Sequence, residues 1–169
     1  SEDVDHINLT DFWNIPPLHG FNPVIYDTDG QIIDMIGGSG AKTHTLGIAG
    51  PVFAVDNAGV PVDGPIVEGR IVLNGHYLSQ NPSDPIKDFE GVIVHETGHL
   101  LGLGHAQINA DEDTSNEHHP TMFPIYFGGS DMRSLEQDDI GWLSAYYPSA
   151  QYDSAFGTIT GDILDYSRY

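Results

Sequence analysis

The 169-residue chain contains no cysteine. Disulfides are therefore excluded, and so is any metal site built on thiolates. Basic residues are also scarce: five lysines and arginines stand against 25 acidic residues, a formal net charge of −20. Such a surface repels phosphate backbones, which excludes nucleic acid as a partner. No apolar run reaches the roughly 20 residues needed to span a bilayer, so no membrane partner is expected. The chain opens at Ser1 without an initiator methionine. It reads as a mature or excised piece from which targeting information has been removed. What remains is 39% hydrophobic, enough for one domain with a real core, and a monomer is expected.

The informative stretch is His95-Glu96-Thr97-Gly98-His99-Leu100-Leu101-Gly102-Leu103-Gly104-His105. On a helix, residues four apart lie one turn apart on the same face. His95 and His99 can therefore aim two imidazoles at one point. Glu96 stands beside the first of them, placed to act on a metal-bound water rather than to bind metal. Glycine accepts the left-handed conformation that ends helices. A turn at Gly102 can thus bring His105 back as a third nitrogen ligand. Three protein ligands leave one position of a tetrahedral Zn²⁺ open, as in catalytic zinc sites. The alternative is three solvated histidines on an acidic surface helix. The apolar flanks Val92-Ile93-Val94 and Leu100-Leu101 weigh against it.

Upstream, Val24-Ile25-Tyr26 and Ile32-Ile33 flank an Asp29-Gly30 pair, which predicts a hairpin or tight turn. A calcium loop using Asp27, Asp29 and Asp34 is the other reading. The plain turn is preferred, because the twelfth position of such a loop is Ile36 and not glutamate. Residues 46–55 and 66–74 read as strands, the first held at an edge by Pro51. Residues 75–85 read as a polar loop ending in a helix start at Asp84-Pro85, with a helix from about 86 to 101. Lone His44 reads as a surface residue. The acidic stretch 106–119 reads as solvated, and His118 and His119 as poor zinc ligands. Strands followed by a long helix give an α+β arrangement.

Pro120-Thr121-Met122-Phe123-Pro124-Ile125-Tyr126 follows. A buried Met122 in a tight turn supplies an apolar floor beneath the imidazoles without competing for the metal. Further on, Ser134 with Gln137 matches a capping box, and Pro148 ends the last helix.

The eleven-residue histidine pattern followed by a methionine turn resembles the metzincin clan of zinc peptidases. The run Met122-x-Pro124-x-Tyr126 and the Leu135-x-x-Asp138-Asp139-Ile140 run resemble its matrixin branch. The resemblance covers roughly residues 24–148. It implies a zincin-like domain with a twisted, mostly parallel sheet, an antiparallel edge strand, an active-site helix and a C-terminal helix. It implies one catalytic zinc on His95, His99 and His105, with Glu96 as the general base. Substrate is expected to lie along Gly47, Ile48 and Ala49, with Ile125 and Tyr126 walling the pocket for the side chain after the cleaved bond. Asp138 and Asp139 are expected to be structural. A secreted or cell-surface location, and protein or peptide substrates, follow from the same likeness. The chain departs from the family in its longer segment between His105 and Met122, and in Ala106 where matrixins commonly carry serine.

The peptidase-like domain is expected to span 1–149. Residues 150–169 read as a linker and a strand, because Gly157 to Leu164 alternates. That run resembles the opening of a carboxypeptidase-regulatory-like β-sandwich, so the protein is expected to continue past Tyr169. A tail strand packing on the peptidase is the alternative. The function implied is zinc-dependent peptide-bond hydrolysis. The competing reading is a metal-binding adhesion or surface module without turnover, against which the intact Glu96 stands.

Overall fold

A computed structural model describes residues 22–56, 58, 61–80, 85–106, 119–126, 131–155 and 157. The first element, β1 (Val24–Asp27), runs into α1 (Gln31–Gly37). A short 3₁₀ turn at Ala41–Thr43 leads to β2 (Gly47–Val55), and β3 (Pro61–Asn74) follows. Then come α2 (Gly75–Gln80), α3 (Pro85–Leu100), a 3₁₀ turn at Asp131–Arg133, α4 (Gln137–Tyr146) and α5 (Tyr152–Ala155). No helix among the described residues is long and apolar enough to cross a membrane.

The sheet is built on β3. Its run Ile71-Val72-Leu73 is apolar at consecutive positions, the mark of a strand covered on both faces. Side chains alternate across a strand, so Val72 faces one layer while Ile71 and Leu73 face the other. Val72 packs with Ile25, Ile32, Ile33 and Ala41, the layer that α1 supplies. Ile71 and Leu73 pack with Val92, Phe89, Ile93 and Leu100 of α3. The result is an α+β domain with a helix on each face of a small sheet. In the order β1-β3-β2, β1 pairs with β3 in parallel and β2 pairs with it antiparallel. Among the described strands the sheet is therefore mixed, one pair of each kind, rather than mostly parallel. The antiparallel edge strand stands where it was expected. Pro51 sits within it opposite Gly69, at an edge where a missing N–H is tolerated.

Several local expectations change. Ile32 and Ile33 form a helix, not the second arm of a hairpin. The Asp27 carboxylate accepts the Ile33 N–H at 2.8 Å, and Asp29 accepts the Gln31 N–H at 3.1 Å, so both hold the first turn of α1. Part of the predicted polar loop is α2. Helix α4 is capped by Glu136 with Asp139, each side chain taking the other's backbone N–H, and not by Ser134 with Gln137. The strand expected after Gly157 and most of the acidic 106–119 stretch lie outside the described residues, and nothing described tests the boundary at 149.

Asn74 closes the end of β3 and is fully buried. Its amide donates to the Lys42 and Thr45 carbonyls at 2.8 and 2.6 Å and accepts the Tyr77 N–H at 3.0 Å. One side chain thus ties β3 to the segment entering β2 and to α2. Asn74→Ala strands these buried backbone groups, each costing on the order of 1–3 kcal/mol when unsatisfied. The expected loss is about 3 kcal/mol, read as a lower urea midpoint with an unchanged slope.

Candidate metal centre

The site is assembled on α3. Val92, packed against the sheet, lies one turn before His95 and two before His99 on the same stripe of the helix, and all three line the cleft. The two histidine rings stand edge to face with centroids 4.8 Å apart. After Leu100 the helix stops in a two-bond glycine cap. Gly102 takes φ +91°, its N–H bonds the His99 carbonyl at 3.0 Å, and the Leu103 N–H bonds the Gly98 carbonyl at 2.9 Å. The chain reverses there, and His105 returns. Its Nε2 lies 3.3 Å from His95 Nε2 and 3.1 Å from His99 Nε2.

Hydrogen bonds at the far side of two rings fix what these nitrogens can do. His95 Nδ1 lies 2.7 Å from the Thr121 carbonyl, and His99 Nδ1 lies 2.8 Å from the Leu103 carbonyl. A carbonyl only accepts, so each Nδ1 carries the proton and each Nε2 keeps its lone pair. Those lone pairs point inward, as in metal sites whose histidines are oriented from behind. Two nitrogens bound to tetrahedral zinc at about 2.0–2.1 Å are separated by about 3.3–3.4 Å. The two spacings to His105 fit that edge length. Among the described residues this is the one group of three or more potential ligands, all ligand atoms within 4.8 Å of one another.

Burial sets the charge state. Removal from water lowers the His95 imidazole to about 4, outweighing its bond to Thr121, and the neighbouring His99 and His105 push the same way. Burial also lowers His105, again with His99 beside it. Both shifts favour the neutral, ligand-ready form of His95 and His105 at pH 7. Glu96 is only 4% exposed, and burial raises its carboxyl to about 8. Its Oε2 has no hydrogen-bond partner. Buried oxygens of that kind are expensive, and an unpaired one beside a cluster of ligands marks a group held for chemistry.

The turn under the rings is pinned from both sides. Thr121 and Met122 are buried. The Asp139 carboxylate, also buried, accepts the Thr121 N–H at 3.1 Å and the Glu136 N–H at 3.0 Å. The Thr121 hydroxyl donates to the Ser134 carbonyl at 2.7 Å, and the Met122 carbonyl accepts the Ala106 N–H at 2.8 Å. Asp139 is thus structural, while Asp138 is exposed.

A cleft of about 630 Å³ opens over His95, Glu96, His99 and His105. Gly47, Ile48, Ala49, Ile125 and Tyr126 all line it. Gly47 passes so close to Glu96 that a Cβ there would lie 2.7 Å from its Oε1. His44, Tyr77 and Met132 also line the cleft, and sequence reasoning missed them. Tyr77 follows the buried end of β3 by three residues, the only local sign that it is held in place. The structure gives the calcium reading no support. Asp27 and Asp29 are committed to α1, and Asp34 accepts the Lys42 N–H at 2.9 Å with the Lys42 ammonium 3.6 Å away. The three carboxylates serve separate backbone groups instead of one ion. His119 is buried against Phe123, away from the imidazole cluster, and His118 lies outside the described residues.

Over 81 residues the chain is 41% identical to metalloendoproteinase 5-MMP of Arabidopsis thaliana, a stretch covering 47% of this chain and 20% of that protein. Over 77 residues it is 39% identical to interstitial collagenase B of Mus musculus, covering 44% of this chain and 15% of that protein. The matched stretches span a fifth or less of these curated relatives. They support a matrixin-like relationship and a metalloprotease-type enzyme over that part of the chain. No family model and no solved structure matches.

Two outcomes follow for the metal-free protein. Gly102→Ala places a side chain at left-handed φ, and about 1–2 kcal/mol of stability should be lost in urea unfolding. Glu96→Gln should be stabilising in a pH-dependent way. A carboxyl raised from 4.5 to about 8 on folding contributes most below pH 4.5, and that contribution fades as pH rises toward 8. Parent and variant should melt together near pH 4 in chelator, and the variant several degrees higher at pH 8.

Proposed function

We propose that this chain is the catalytic part of a secreted, zinc-dependent endopeptidase of matrixin type. The observation that carries this reading is the convergence of three imidazole nitrogens, two of them oriented by carbonyls behind the ring, beside a buried carboxylate with an unpaired oxygen. His95, His99 and His105 would hold the ion through Nε2. Zinc in such a site acts as a Lewis acid and brings its water to a pKa of about 7.

The remaining work belongs to the chain. Glu96 Oε2 takes a proton from the attacking water as its oxygen bonds the scissile carbonyl carbon. The same oxygen then delivers that proton to the departing amide nitrogen as the C–N bond breaks. A carboxyl whose affinity for protons is raised by burial suits both halves of that transfer. Substrate lies extended beside Gly47, Ile48 and Ala49 and adds a strand to β2, an edge of the sheet among the described residues. Ile125 and Tyr126 wall the pocket for the side chain that follows the cleaved bond. Protein or peptide substrates follow from the metalloendoproteinase relatives. The competing reading, a metal-binding module without turnover, gives no reason to retain a buried and unpaired carboxylate at the metal.

Zinc content and peptide-library cleavage test the proposal together. The parent should carry one zinc and cleave, and chelator should abolish cleavage. Glu96→Ala should keep the zinc and lose about 10²–10⁴-fold in kcat/KM. A parent without zinc, or a Glu96→Ala variant that cleaves as fast as the parent, would overturn it.

A further inference from the structure

We infer that Gly98 is a positioning residue: its missing side chain lets the 120–123 turn rise under the helix to the height at which that turn orients the first histidine. The inference rests on reading the three imidazoles as zinc ligands.

Gly98 lies inside α3, two residues before its last residue, Leu100. Glycine in a helix interior is unfavourable by roughly 0.8–1.0 kcal/mol relative to alanine. Its presence there, buried, calls for a reason from packing. The packing supplies one. A Cβ on Gly98 would fall inside the sulfur of Met122, and it would lie 3.0 Å from Met122 Cε and 3.5 Å from Cγ. Met122 is itself 3% exposed, so its side chain has little free space into which it can swing. A side chain at 98 therefore displaces the Met122 side chain and, because that side chain is enclosed, presses on the turn that carries it.

Displacement of that turn would not be felt evenly. The Thr121 carbonyl, one residue before Met122, holds His95 Nδ1 at 2.7 Å. The Met122 carbonyl holds the Ala106 N–H, next to His105, at 2.8 Å. His99 is oriented from elsewhere, by the Leu103 carbonyl in the helix cap. The turn cannot follow freely, since Asp139 and Ser134 grip Thr121 from below. A methyl group at 98 thus sets the helix against a braced turn, and the His95 bond is the one that gives. The histidine anchored in the cap is spared.

Two readouts on Gly98→Ala test this. In metal-free protein, imidazole ¹⁵N shifts should show Nδ1–H tautomers for His95 and His99 in the parent. In Gly98→Ala the His95 signature should be lost and that of His99 kept. General loosening of the fold would move both. Zinc affinity, measured by chelator competition, should fall about 10–100-fold, the usual consequence of disturbing a group that orients a ligand. In a Met122→Ala background the same change should alter affinity less than about threefold, because the collision is gone. If Gly98→Ala does not fold, a Gly98→Ala/Met122→Ala protein that folds and matches Met122→Ala sustains the inference. Failure of that double variant to fold overturns it. Unchanged His95 tautomer, unchanged affinity, or equal losses in both backgrounds would also overturn it. A parent that binds no zinc would refute the proposed function instead, while the tautomer measurement would still judge Gly98.

Discussion

The structure depends on two hydrogen bonds made at the wrong end of the imidazoles for catalysis. A free imidazole can place its proton on either nitrogen and can turn about its bonds. By donating Nδ1–H to the Thr121 carbonyl and to the Leu103 carbonyl, His95 and His99 lose both freedoms. Their lone pairs then face His105 across gaps that suit a tetrahedral ion. Without those carbonyls the same three residues would be solvated rings on an acidic surface.

Close approach of backbone explains much of what surrounds them. Gly47 brings the edge strand against Glu96, and Gly98 brings the methionine turn against the helix. In both places a side chain would occupy volume already taken by a functional or bracing group. Gly69 does the same for the sheet, where an added Cβ would collide with Leu100 of α3. Three segments distant in sequence are thereby packed around one helix at spacings that larger residues would forbid.

The centre is held at some expense to stability. Three imidazoles close together beside a buried carboxyl pushed up to about 8 are poor company without a metal. Burial keeps His95 and His105 neutral and keeps Glu96 hungry for a proton. The apolar layers on both sides of β3, with Asn74 and Asp139 satisfying backbone groups deep inside, oppose that cost. Local rules broken at one place and offset by packing elsewhere are expected at a functional site.

Spacing along one helix is a local property, and that is why His95, Glu96, His99 and the reversal at Gly102 were legible in the residue string. Apolar runs likewise marked strands at 46–55 and 66–74, with Pro51 keeping the first at an edge. The pair Ile32-Ile33 was not legible in the same way, because two adjacent apolar residues suit strand and helix alike. Asp27 and Val72 decided it, one by holding the first turn and the other by offering a face to pack on. The carboxylates at 27, 29 and 34 resembled part of an ion site until the backbone groups that claim them were seen. The chain by itself thus determined which atoms could bind a metal. The tertiary structure alone decided which groups aim those atoms. Thr121 lies 26 residues from His95, and no periodicity reaches across such a gap; only packing brings its carbonyl to the ring.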